Sequence, residues 1–105
     1  MIKVFDNSDI EYSVGDTFNL PVEPSREDEF SAGMQLRFVV AESVQSTPII
    51  DNTYNINENL TFNVVLSEAD IKRLSLGEYV YKIITYKDNQ IETEVSGFFT
   101  VKWGA

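Results

Sequence analysis

The chain has 105 residues, 43% of them hydrophobic and 12% aromatic, which fits one globular domain with its own core and excludes a disordered segment. It has no cysteine and no histidine, which excludes disulfides, thiolate chemistry and every serine–histidine or cysteine–histidine catalytic arrangement. The net charge of −9 sits in residues 1–70, with 13 acids against Lys3, Arg26 and Arg37, a surface that repels nucleic-acid backbones and anionic membranes.

In chain order, residues 2–5 are a weak strand candidate, and the opening Met1-Ile2-Lys3-Val4-Phe5-Asp6 lacks the basic-then-apolar plan of a secretory signal. The expected place of folding is therefore the cytoplasm. Val14-Gly15-Asp16 signals a turn. Residues 17–22 then alternate, with Phe18, Leu20 and Val22 on one face, the period of a half-buried strand. Pro21 and Pro24 mark a sheet edge and then an exit into a polar loop ending in Glu27, Asp28 and Glu29. Residues 34–41 put Met34, Leu36, Phe38 and Val40 on one face. Residues 48–54 are a second weak strand, with Asp51-Asn52-Thr53 and the run 55–59 rich in turn formers. Residues 60–66 alternate with Leu60, Phe62, Val64 and Leu66 inward.

The stretch LSEADIKRLSLGEYVY, residues 66–81, carries a local helix signal among strands. Ser67 and Asp70 have the spacing of a capping box. Glu68 and Asp70 lie in the first turn and Lys72 and Arg73 near the last, as the helix dipole favours. Ile71 and Leu74 share a face, and Gly77 suits a left-handed ending. Such a segment is too short to stand alone and is expected to cap one end of a sandwich. Tyr79 then matches the tyrosine that, in immunoglobulin-like sandwiches, bonds back to upstream backbone, and Gly77, Tyr79 and Tyr81 form a structural corner.

Residues 79–87 are apolar on both faces. Residues 91–103 alternate most cleanly of all, with Ile91, Thr93, Val95, Gly97, Phe99, Val101 and Trp103 on one face. If Tyr79, Tyr81 and Ile83 face inward, the last hairpin must pair residues whose numbers add to an even value. A three-residue tip at Lys87-Asp88-Asn89, with Asn89 left-handed, provides this and sets Lys82 directly opposite Glu94. A two-residue tip would turn both tyrosines outward. The whole is an all-β chain, an immunoglobulin-like antiparallel two-sheet sandwich of about seven strands with one short helix before the sixth.

Chemistry-bearing groups are sparse. Asp51-Asn52-Thr53-Tyr54-Asn55 offers oxygen ligands at alternate positions, but Ile56 stands where a calcium loop needs glycine and no glutamate closes it, so an Asx-rich turn is favoured. No catalytic, metal or cofactor site is expected. With the tyrosines inward, Val80, Ile84 and Tyr86 point outward, joined by Phe98 and possible company from Val39. These form either a docking surface or a patch covered by residues 42–50 or the N-terminal arm, and the sequence leaves both open.

The order VGDTFNLPVE, MQLRFVV, LTFNVVLSEADIKRLSLGEYVYKIITY, a polar tip and TEVSGFFTVKW resembles the small immunoglobulin-like domains of tailed-phage virions, such as the N-terminal domains of baseplate upper proteins and head-decoration domains. Leu74, Gly77, Tyr79, Tyr81, Ser96, Gly97, Phe99 and Val101 carry the match, within residues 14–103. Leu76 stands where such domains commonly have proline. The resemblance implies a non-enzymatic virion protein. A stand-alone domain is more similar to an auxiliary capsid, decoration or cement protein, present in many copies per particle and bound to the major capsid protein. Its interface would comprise Val80, Ile84, Tyr86 and Phe98 with the acidic Glu27, Asp28 and Glu29. A baseplate or tail adaptor, or a glycan-binding adhesin using Tyr54, Tyr86 and Trp103, is the alternative. The asparagine- and isoleucine-rich composition suits an AT-rich genome, as in crAss-like phages.

Overall fold

The computed structural model describes residues 2–4, 9–24 and 29–103, the first three by backbone alone. The fold is all-β. Its elements are β1 (Ile2–Val4), β2 (Ile10–Ser13), β3 (Phe18–Val22), β4 (Gln35–Ala41), β5 (Ile50–Asn55), β6 (Phe62–Leu66), α1 (Glu68–Ile71), β7 (Gly77–Lys87) and β8 (Gln90–Lys102). Six strands form one sheet in the order β1-β2-β8-β7-β4-β5, and β3 and β6 form a second, two-stranded sheet. The expectation of a wholly antiparallel arrangement is corrected by β2, which runs parallel to β8 with Ile10 beside Phe99 and Tyr12 beside Val101. β2 also raises the strand count above seven, so the helix precedes the seventh strand. Four residues are too few for a period of two to stand out in sequence.

The two sheets share one core. Phe18, Leu20, Phe62, Val64 and Leu66 of the small sheet face Leu36, Phe38, Val40, Tyr79, Tyr81, Phe99 and Val101 of the large one. These are alternate residues of each strand, as pleating requires. Phe18 sits at the centre, its ring 5.6 Å from Tyr12, 5.9 Å from Phe38 and 5.7 Å from Phe99. Each tilted ring pair contributes about 0.5–1.5 kcal/mol beyond its buried area. Phe30, on the β3–β4 connection, packs edge-on against Phe62 at 5.1 Å. Leu60 stands outside β6 in a left-handed turn with φ 58°, so the sixth strand begins at Phe62 and not at residue 60. The preceding turn is an Asx turn: Asn57 Oδ1 accepts from the N–H groups of Asn59 and Thr61.

The capping box closes α1 on both sides. The Asp70 N–H donates to Ser67 Oγ at 3.1 Å, and the Ser67 N–H reaches Asp70 Oδ2 at 3.4 Å. Ile71 and Leu74 are half-buried against the core. The helix ends at Lys72, well before Gly77; the turn continues through Arg73 N–H to Asp70 O and Leu74 N–H to Ile71 O. Gly77 instead opens β7 with φ 141°. Two residues on, the Tyr79 hydroxyl accepts from the Ser75 N–H at 2.8 Å and lies 3.3 Å from the Ser75 carbonyl.

The last hairpin differs from the three-residue expectation. Lys87 pairs with Gln90, leaving a two-residue tip of Asp88 (φ 52°) and Asn89 (φ 67°), the left-handed pair of a tight primed turn. Both tyrosines nevertheless face inward, because the register shifts by one between Tyr86↔Ile91 and Thr85↔Thr93. Glu92 is the extra residue, and a bulge of this kind flips the face of everything beyond it. Thr85, buried on β7, holds the bulge: its Oγ1 accepts from the Thr93 N–H at 3.1 Å. Beyond it Lys82 faces Ser96, and Glu94 faces Ile84. The Lys82–Glu94 ion pair forms all the same, at 3.4 Å, on a diagonal instead of directly across. Thr85→Val keeps the shape and removes the acceptor, leaving the half-buried Thr93 N–H without it; it should destabilise the fold by about 1 kcal/mol. Urea denaturation checks this, and an unchanged midpoint would remove the bulge-holding role.

Candidate functional site

The outer face of the large sheet is built in cross-strand rows. Thr53, Arg37, Ile84 and Glu94 form one; Asp51, Val39, Lys82 and Ser96 the next; Ala41, Val80 and Phe98 the third. Val80, Ile84, Tyr86 and Phe98 therefore share a face, with Val39 on the same side. Their exposure is unequal. Phe98 is 48% exposed and Val80 and Tyr86 are half-buried, but Ile84 is only 9% exposed. Ile84 lies between two long charged side chains, Arg37 and Glu94, tied to Asp51 and Lys82. Arg37 and residues Val44 and Pro48 of the 42–48 loop gather around the same side of Ile84. The expectation of an exposed Ile84 is thus corrected: a charge placed there would be driven into a covered position.

The loop 42–48 lies along this face. Its backbone is pinned by Ser46 N–H to Ser43 O at 3.1 Å and by Ile49 N–H to Val40 O at 2.8 Å. Val44, the loop's one large apolar side chain, is strongly exposed and borders two hollows. One is lined by Arg37, Val39, Pro48 and Ile84; the other lies between Val80, Lys82, Glu94 and Phe98. The loop covers part of the apolar strip and leaves Phe98 and Val44 standing at its margins. Val44 escaped the sequence because an isolated valine in a polar loop has no period to announce it.

Arg37 organises the polar side. Its Nε donates to Asp51 Oδ1 at 2.7 Å and its Nη2 to Oδ2, a two-pronged pair, and Tyr86 is a second partner. The guanidinium holds the Asp51 carboxyl below its ordinary value of 3.8, and the same bonds raise Arg37 further above its own. Asp51 to Asn55 make a regular strand and not an Asx-rich turn. Asp51, Thr53 and Asn55 alternate along β5 about 7 Å apart and so do not converge on one cation. Among the described residues no three acidic side chains gather as a metal site would need. Tyr54, on the opposite side of β5, donates its hydroxyl to Val65 O at 2.7 Å and so ties the two sheets together; burial pushes its pKa up and so disfavours its ionisation.

The remaining sequence-predicted residues are scattered. Glu27 and Asp28 lie outside the described residues. Glu29 is half-buried beside Phe30 on the β3–β4 connection, off the strands that carry Val80 and Phe98. Gly77, Tyr79 and Tyr81 serve the corner and the core. Trp103, expected inward, is 73% exposed because β8 ends at Lys102 and the core ends with Val101. Comparison of the chain with protein-family models, curated proteins and solved structures found no match.

Asp51→Asn removes the carboxylate of this pair. Because folding depresses the Asp51 pKa, its contribution is fully present above pH about 4 and is lost as the pH falls through the depressed value. The pair is more than a third exposed, so the expected gap between wild type and variant is below about 1 kcal/mol at neutral pH. Thermal unfolding from pH 7 to pH 2 should show the two proteins converging in acid; a gap that widens there would contradict the assignment.

Proposed function

We propose that the chain is an immunoglobulin-like β-sandwich acting as a non-enzymatic virion protein, an auxiliary capsid protein that binds the major capsid protein of a tailed phage in many copies. Support for the fold comes from the order β2-β8-β7-β4-β5 opposite β3-β6, the parallel β2–β8 edge and the Tyr79 hydroxyl bonded to Ser75 backbone. Support for the virion role comes from the sequence resemblance around Leu74, Gly77, Tyr79 and Tyr81. The binding role rests on one observation: exposed Val44 and Phe98 flank half-buried Val80 in an apolar strip with adjoining hollows on the outer face. Contiguous exposed apolar residues of this kind mark contact surfaces.

Cementing needs no strong single contact. Small interfaces repeated over a shell add by effective concentration. The acidic residues, Glu27 to Glu29 among them, favour a partner surface bearing lysine and arginine, which speeds encounter and makes it salt-sensitive. A baseplate or tail adaptor would use the same face at another site on the particle. A glycan platform would need its aromatics together. Trp103 and Tyr86 instead lie at opposite ends of the β7–β8 hairpin, on the order of 35 Å apart by strand rise, and the Tyr54 hydroxyl is spent on Val65.

Phe98→Asp should leave the unfolding temperature of the isolated protein within a few degrees of wild type, since Phe98 is outside the core. It should abolish recovery of the protein in purified particles, read by mass spectrometry of the virion. Wild-type occupancy of the variant would remove this face from the interface. Absence of the wild-type protein from particles would remove the virion role itself.

A further inference from the structure

β8 is 13 residues long, but β2 pairs only with its final part, from Phe99 to Lys102. Upstream of Phe99 the edge of β8 away from β7 faces no strand among the described residues. Two contacts fix the direction of the main-chain groups there. The Phe98 N–H points away from β7, to Asp9 Oδ1 at 3.0 Å, whereas the Thr93 N–H points across the ladder to Thr85. In an antiparallel ladder the N–H and C=O of one residue point the same way, and the direction alternates along the strand. Ser96 and Glu94 follow Phe98 in unbroken register opposite Lys82 and Ile84, so their amide and carbonyl groups also point outward from the free edge.

An apolar cleft opens beneath this edge. It is lined by Ile10, Leu20, Val22, Tyr81, Ile83 and Val95, with Glu23 at the same opening, and measures about 420 Å³. Val95 is 43% exposed, although it belongs to the alternation that buries Phe99 and Val101 further along. Natural edge strands are blunted by proline, lysine or bulges. β3 carries Pro21, but residues 90–98 contain no proline, lysine or arginine, and the bulge at Glu92 lies at the hairpin-tip end of the free stretch.

We propose that this edge accepts an extended segment of another protein by strand addition, in line with β2, with alternate apolar side chains entering the cleft and lysines or arginines on the outer side. The backbone form follows from the bare groups of Glu94 and Ser96, and the apolar alternation from the cleft lining. The basic character follows from Glu23 at the cleft, within a chain of net charge −9; Glu94 on the outer face is already paired with Lys82. A second copy of the chain would bring like charge to the same edge. The inference is independent of the capsid role, since it concerns an edge and a cleft and not the outer face.

The test uses hydrogen exchange of the whole protein with a capped peptide of alternating valine and lysine as probe. In the free protein the amides of Glu94 and Ser96 should exchange fast and those of Val95 and Gly97 slowly. The peptide should slow Glu94 and Ser96 by at least about tenfold, and a peptide of alternating valine and glutamate should not. Ser96→Pro removes an outward N–H without touching the β7 ladder; it should keep the fold and lose the protection at Glu94. Unchanged exchange at Glu94 and Ser96 in the wild-type protein overturns the proposal whether or not the proline variant folds. So does equal binding of the acidic peptide, or self-association of the free protein through this edge.

Discussion

The parity of the β7–β8 pairing governs this molecule. A strand has two faces and a period of two, so one residue more or less in the last hairpin exchanges inside for outside along its whole length. The tight turn at Asp88-Asn89 alone would set Tyr79 and Tyr81 on the face opposite to Phe99 and Val101. The extra residue Glu92 and the buried hydroxyl of Thr85 reverse that choice. The central aromatic cluster, the corner at Tyr79 and the outward Val80 and Phe98 all depend on it.

That dependence links core to surface. Because Tyr81 and Ile83 face in, Lys82 and Ile84 face out, and Ile84 needs cover that its charged neighbours provide. Arg37 is bound by Asp51 and Tyr86, and Lys82 by Glu94. The ion pairs on this face tie its charged side chains to one another and leave Phe98 and Val44 as the prominent apolar groups.

Much of the fold was legible because it was written in clean alternation. Phe18, Leu20, Leu36, Phe38, Val40, Phe62 and Val64 are all buried as their spacing predicts, and the capping box of Ser67 and Asp70 forms with the unusual aspartate. What escaped has physical reasons. Ile10 to Ser13 is too short to show a period, yet it closes the edge of β8. Alternation gives the face of Val95 but not whether anything lies opposite, and the small sheet is only two strands wide, so Val95 stays exposed. Ile91, expected inward, is turned by the bulge to the outer face beside its partner Tyr86, and Trp103 lies past the end of β8. Side-chain cover of Ile84 depends on partners from β4, β5 and β8, which no local pattern encodes. The bulge at Glu92 was hidden because two errors of one residue, in the tip and in the register, cancel in their effect on the faces.

The parallel pairing of β2 with β8 has a consequence for the order in which the chain acquires its shape. Asp9 touches Phe98 across 89 positions of sequence, the kind of distant closure that makes β proteins fold in milliseconds to seconds, well behind helical bundles. The hairpin β7–β8 joins neighbours in sequence, whereas four-residue β2 reaches its place beside β8 only by that long closure. Residues 10–13 can pair with β1 beside them in sequence, but they can join the large sheet only when β8 is available, so nearly the whole described chain must be made before that edge closes.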